Sequence, residues 1–132
     1  GFVNAPIRKN YQLKKMVIAS EENGGKKALT IFKPLKVFDD SSLLEITLKT
    51  GRTHQIRVHM SYIRHHVIGD YKYGDFKINN HYKNMYGISS QCLHSYSLKF
   101  KCMNKDYFYL NDMVFVCELP EKIIKIINQK EG

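Results

Sequence analysis

Between Leu48 and Gly74 the chain reads LKTGRTHQIRVHMSYIRHHVIGDYKYG, and within it Arg52, Thr53, His54, Gln55 and Arg57 crowd into six positions. A guanidinium offers five N–H donors in a planar fork that fits a carboxylate or a phosphate. His and Gln add further donors and acceptors. The chemistry this segment is equipped for is the gripping of an anion. Composition sharpens the point. Only four of the 21 Lys and Arg residues are Arg (Arg8, Arg52, Arg57 and Arg64), and three of those four fall within thirteen residues. The formal net charge of +9 suggests an acidic partner, nucleic acid first and an anionic membrane surface second. A chain so rich in Lys, Asn and Ile would be basic whatever it binds, so the placement of its Arg residues is the stronger signal.

The elements around this segment must hold those side chains in place. Leu13–Ser20 and Ala28–Phe38 read as strands, separated by a turn hinged at Gly24-Gly25, with Pro34 marking an edge or bulge. From Leu43 the sequence alternates, with Leu44, Ile46 and Leu48 on one face and Glu45, Thr47 and Lys49 on the other. Gly51 breaks the strand, and Thr53 is a suitable N-cap for a helix to about Ile63. At roughly 100° per residue, Ile56, His59, Met60 and Ile63 gather into a core stripe. Arg57 and Arg64 share one flank of it, with His54 further round. Arg52 sits ahead of the cap, where free N–H groups and the helix dipole favour an anion. A cation on the shoulder of a buried stripe is half-desolvated and needs a counter-charge. For Arg57 that charge is either a bound anion or one of the twelve acidic residues.

Asp70 reads as a turn residue, and residues 75 to 91 show no period and read as a long mobile insertion. Residues 94 to 102 and 107 to 119 read as strands around a turn at Asn104-Lys105. Pro120 opens a short helix with Ile123, Ile124 and Ile127 inward. Hairpins outnumber crossovers, so the fold class is α+β, with a largely antiparallel mixed sheet and flanking helices. At 132 residues the chain is a single domain at most.

Other chemistries fit poorly. His54 and His59 lie ~140° apart on the helix and cannot share an ion, and His65-His66 lack a third ligand, so no metal site is expected. The three Cys (Cys92, Cys102 and Cys117) form no C-x-x-C and read as idle thiols of a reducing, intracellular compartment. The longest apolar run, Met113 to Cys117, falls far short of the ~20 residues that span a bilayer. The chain opens on GFVNAPIRKN without an initiating Met, which predicts a piece of a longer polypeptide with Gly1 as a remnant.

With these residues laid out, the chain resembles the RluA-type family of RNA pseudouridine synthases. In that family a strand ending in T-G-R-x-H-Q-(I/L)-R-x-H leads to a helix and then to G-H-P-(I/V)-x-G-D-x-x-Y-G. GFVNAPIRKN, NGGKKALTIFKPL, CLHSYSLKF and ELPEKIIKII resemble further family segments, in order. The resemblance implies conversion of uridine to pseudouridine in structured rRNA or tRNA, without metal or cofactor, on a uridine flipped from its stack. It implies a catalytic Asp kept ionised by the motif's Arg, which is Arg57 here, and a Tyr stacked on the base. Arg52, His54, Gln55 and Arg64 would face the RNA, and Leu93 would form an apolar wall of the base pocket.

The departures are as informative. The family's Asp lies in an R-L-D motif and its Tyr in a later K-x-Y segment, both upstream of the segment with which this chain opens. None of the six Asp here (Asp39, Asp40, Asp70, Asp75, Asp106 and Asp112) follows Arg-Leu. The family's G-H-P becomes Arg64-His65-His66, which predicts a looser turn. Residues 1–132 are therefore expected to be the C-terminal portion of a catalytic domain, inactive alone. Arg57 should be unpaired, bound to a solvent anion, or borrowing a substitute acid, and exposed sheet edges should favour self-association. Two alternatives stand beside this: a non-catalytic RNA-binding module of the same fold, and a domain whose Arg57 serves only an internal ion pair.

Overall fold

Short apolar alternations early in the chain produce five strands before the first helix. The computed structural model describes all 132 residues. Strands β1 (Phe2–Asn4), β2 (Ile7–Asn10), β3 (Lys15–Ile18), β4 (Leu29–Val37) and β5 (Ser42–Leu48) precede helices α1 (Gln55–Tyr62) and α2 (Phe76–Tyr86). All of these lie in a unit spanning Gly1–Gln91; a second unit, Cys92–Gly132, carries β6 (Ser97–Lys99), β7 (Val114–Val116) and α3 (Glu121–Glu131).

In the first unit β4 lies between β1 and β5, and β2 pairs with β3, every pairing antiparallel. The α+β class with antiparallel sheets is as the pattern predicts, and no parallel pair is present among these strands. Pro34 marks a slip of register between Pro34 and Lys36, the expected bulge. It has no N–H to give the ladder. Leu44 and Ile46 turn to the core beside Val3, Ala5 and Met60, whereas Leu48 is exposed.

Helix α1 joins two apolar clusters. Met60 packs with Val3 and Ala5, and Ile56 and Ile63 close over that cluster; Val58 packs with Ile7, Ala28 and Tyr73. Between them His59 is fully buried, its Nδ1 sharing a 2.8 Å hydrogen bond with Thr30 Oγ1 and its Nε2 a 2.8 Å bond with the Ala5 carbonyl. The imidazole thus ties α1 to β4 and to the end of β1. Burial lowers its pKa, against the opposing pull of the Ala5 carbonyl. A folded-state pKa below the unfolded value of about 6.5 means that the unfolded chain takes up the proton first. His59 therefore stabilises fully above that pH and loses its contribution as the pH falls below it, by up to about 1.4 kcal/mol per pH unit. Urea midpoints should drop between pH 7.5 and 5.5, and His59→Gln should flatten that drop while lowering the midpoint at both pH values.

Most of residues 75 to 91 is helix α2, not a loop. Asp75 caps α2 by accepting from Ile78 N, and Gly87 ends it at φ +70°. The helix carries no apolar stripe, because Asn79 and Tyr82 are the residues it buries. Helical spacing was hidden in polar letters.

In the second unit β6 and β7 form a three-residue antiparallel ladder, far shorter than the strands expected there. Lys105–Leu110 is a 3-10 helix, because the Asn104 side chain accepts from Asp106 N and starts a turn in place of a strand. Asn111 Oδ1 takes Cys102 N, and Asp112, at φ +61°, pairs with Lys99 and Lys101. Helix α3 starts after Pro120 as expected, but it buries Ile123 and Ile126. Ile127 is half-buried and Ile124 exposed, so the inward face is rotated from the predicted one. No helix is long and apolar enough to cross a membrane.

Candidate active site

The approach to α1 is shaped by Gln55, not by Thr53. Gln55 Oε1 accepts from Arg52 N at 2.9 Å and from Thr50 Oγ1 at 2.8 Å, while Nε2 donates to the Leu29 carbonyl and to Thr30 Oγ1. Reaching back in this way, the amide pulls the chain into a left-handed turn at His54 (φ +55°), which becomes the residue preceding the helix, and leaves Thr53 exposed. Gln55 is 3 % exposed and its amide is spent. It is not free to meet RNA, as the resemblance had implied; it fastens the helix start to β4.

Arg57, one turn in, lies on the half-buried shoulder that the helical spacing predicts. It has a partner in this chain. Nε donates to Asp70 Oδ2 at 2.7 Å and Nη2 to Asp70 Oδ1 at 2.9 Å. The Arg57 side chain is 14 % exposed and that of Asp70 1 %. Asp70 is more than the turn residue it resembles in sequence, since Oδ1 also accepts Lys72 N and Tyr73 N at 3.0 Å each. Burial would raise its pKa, but the guanidinium and the two backbone N–H groups prevail and lower it. Arg57 is correspondingly raised, chiefly by its hydrogen bond to Asp70.

The residues around Asp70 explain the run IGDYKYG. A Cβ on Gly69 (φ +79°) would stand 2.2 Å from the Ser90 carbonyl oxygen, and one on Gly74 2.2 Å from that of Asp70. Only glycine fits at either place. Asn79 of α2 takes Gly69 N on Oδ1 and gives Nδ2 to the Asp70 carbonyl, both at 2.8 Å. Tyr73 lies under the guanidinium, 4.9 Å from ring centroid to Cζ, and its hydroxyl accepts Met16 N at 3.0 Å and meets His54 Nδ1 at 2.8 Å. Burial, with the Arg57 and Lys72 charges, lowers the His54 pKa against the pull of Asp70. His66 does not loosen the turn as expected: its Nδ1 bonds the Tyr73 carbonyl at 2.9 Å.

Arg57 is thus clamped along its Nε–Nη2 edge and backed by an aromatic ring. Both N–H groups of Nη1 remain uncommitted. This is a fixed cationic edge able to take one more carboxylate or phosphate oxygen.

Arg52 is exposed, and its Nε donates to the Lys27 carbonyl at 2.9 Å. Arg64 is not on the Arg57 flank, because the helix ends at Tyr62. Arg64 N bonds the Ser61 carbonyl and His65 N the Met60 carbonyl, a Schellman ending with Arg64 at φ +63°. Glycine is favoured there; the G-H-P of the resembled motif places one at this position. Arg64→Gly should raise stability by about 1 kcal/mol, read as a higher urea midpoint. Leu93 belongs to the second unit and is 39 % exposed. Next to it, burial raises the Cys92 thiol pKa, the reverse of what a nucleophile needs.

Comparison with known proteins points one way. Residues 1–62 match the RNA pseudouridylate synthase family. The chain is 46 % identical over 79 residues to ribosomal large subunit pseudouridine synthase D of Blochmanniella floridana, covering 59 % of this chain and 24 % of that protein. It is 32 % identical over 133 residues to the synthase D of Buchnera aphidicola, covering 96 % of this chain and 41 % of the relative. The chain therefore spans well under half the length of these relatives. Among solved structures, human RNA pseudouridylate synthase domain containing 4 superposes with a TM-score of 0.68 at 22 % identity, over 99 % of this chain and 56 % of that one. Domain containing 1 gives 0.62 at 21 %, over 100 % and 59 %.

Proposed function

Because this chain belongs to the RNA pseudouridine synthase family, we propose that it is the C-terminal portion of a catalytic domain that isomerises uridine to pseudouridine in rRNA or tRNA. The observation that carries this reading is the uncommitted Nη1 edge of Arg57, held in fixed aim by Asp70 and Tyr73 within the GRTHQIRVH segment. Arg57 pairs with an acid of its own chain, Asp70. The pair does not exhaust the guanidinium. Asp70 occupies one edge and leaves the other to the catalytic Asp that the family resemblance implies and that no Arg-Leu-Asp in these residues supplies.

On this reading Arg57 keeps that carboxylate ionised and aimed at the ribose, as an opposite charge within hydrogen-bond reach does. The base is flipped to reach it, and the glycosidic N–C bond is exchanged for a C–C bond to the same base, so no atom is gained or lost. On the same reading Arg52, His54 and Arg64 meet the RNA. Metal and cofactor have no part in the scheme. Unpaired sheet edges favour self-association of the isolated piece.

The test is tritium release from RNA labelled at uridine C5. The full-length protein should release tritium and residues 1–132 alone should not. Silence of the full-length protein on all cellular RNA would overturn the enzyme reading in favour of an RNA-binding module. Release by residues 1–132 alone would overturn the assignment as an incomplete catalytic domain.

A further inference from the structure

A second basic feature lies on the same unit, away from the Arg57–Asp70 pair. Hairpin β2–β3, the turn at Gly24 and the Gly51–Thr53 approach to α1 enclose a cleft of about 580 Å³. Four cations line it, Arg8, Lys9, Lys26 and Arg52, over a floor that includes Ile7 and Met16, and no acidic residue faces in. Gathering like charges is unfavourable unless a counter-charge arrives. Arg8 makes the case more sharply. Its Nε is buried with no hydrogen-bond partner, and its Nη1 reaches only the Lys9 carbonyl at 3.3 Å. A buried N–H left without an acceptor costs free energy that a bound anion recovers. Arg52 is oriented by its Nε bond to the Lys27 carbonyl, which leaves its terminal nitrogens for a ligand. Tyr11 stands at the rim, 79 % exposed, with the Lys9 ammonium 5.2 Å from its ring centre.

We infer that this cleft grips the sugar–phosphate backbone of a single-stranded stretch of the RNA, with Arg8, Lys26 and Arg52 on phosphates and Tyr11 stacked on a base. Cations along a groove beside an exposed aromatic ring are the features that hold single strands without reading their sequence. The inference rests on RNA being the ligand, as proposed above, and adds where a flanking strand lies. The cleft connects to the Arg57 site through its floor: Met16 N donates to the Tyr73 hydroxyl, and the Tyr73 ring lies under the Arg57 guanidinium. The cleft and the Arg57 edge are thus built on the same packed unit.

The experiment measures binding of the full-length protein to a fluorescein-labelled, mixed-sequence single-stranded RNA by anisotropy across a range of NaCl. Arg8→Gln and Arg52→Gln should each weaken binding several-fold and make the log–log salt dependence shallower by about 0.7. Tyr11→Ala should weaken it roughly tenfold with the salt slope unchanged. Lys77→Gln combined with Lys83→Gln, on exposed positions of α2, should change neither. Equal losses from the α2 and cleft substitutions would mean diffuse charge and overturn the inference, as would cleft variants that bind like the parent. Arg52 is exposed, so its variant answers even if Arg8→Gln fails to fold. Tritium release separates the two readings: cleft-dependent binding without release removes the synthase and leaves the groove. Normal release with cleft variants unimpaired removes the groove alone.

Discussion

Arg57→Lys in the full-length protein is expected to lower the rate of pseudouridine formation by about 10²–10³-fold, the loss seen when one preorganised donor is removed from a reacting centre. Lysine keeps the charge, so a role that needed only positive potential would survive. It loses the planar fork. One ammonium cannot bridge both Asp70 oxygens and still present two further N–H groups along a fixed direction, nor lie flat on Tyr73 as the guanidinium does. If Arg57 acts on the attacking carboxylate as proposed, the loss should fall in kcat, with KM for RNA moving little. Single-turnover tritium release under saturating protein measures it directly. Activity within a few-fold of the parent would show that Arg57 does no more than pair with Asp70.

Asp70→Asn should destabilise the first unit by about 2–4 kcal/mol. Removing one partner of a buried pair costs several kcal/mol, because the other charge is left desolvated. The figure is set below the full range because the Arg57 side chain keeps 14 % of its exposure. The substitution is nearly isosteric, and an Asn oxygen can still accept Lys72 N and Tyr73 N, so the loss isolates the ion pair from the turn. Urea midpoints should fall by about 1–2 M. There is also a pH signature. A carboxyl whose folded pKa is lowered stabilises fully above the unfolded value of about 3.9, and that contribution is lost as the pH falls from there through the lower folded pKa. Asp70→Asn should therefore remove part of the acid limb of the stability curve. Asp112→Asn, on a fully exposed pair, should leave midpoint and limb unmoved. Adding Arg57→Met to Asp70→Asn should recover much of the loss, because no charge is then left alone and the Asn oxygen still accepts Lys72 N and Tyr73 N.

The sequence made the β4–β5 hairpin and α1 legible because their apolar residues repeat at two and at 3.6, and because Gly51 and Pro34 punctuate them. The half-buried position of Arg57 followed from the same spacing. Two kinds of information were not legible. Helix α2 packs inward through Asn79, which meets an N–H ten residues back and a carbonyl nine back, and through Tyr82, whose hydroxyl donates to the Asp40 carboxylate in the β4–β5 turn, so no hydropathy pattern reports them. Its caps, Asp75 and Gly87, were the signal present. The partner of Arg57 was hidden for a related reason. Thirteen residues separate it from Asp70, and only the turn fixed by Gly69, Gly74 and Asn79 closes that gap. The cap at Thr53 and the facing of Gln55 were misread together, since a saturated buried amide and an exposed one have the same letter.

That saturation has a consequence for how proteins of this kind are found. Gln55 and His59 hold the helix to the sheet, so a descendant that abandoned chemistry would still need them in order to fold. A search keyed to the whole signature would go on flagging such a pseudoenzyme as active. On the proposed reading, the letter at position 57, taken with the presence of a second carboxylate to meet it, is what would separate a working copy from a silent one.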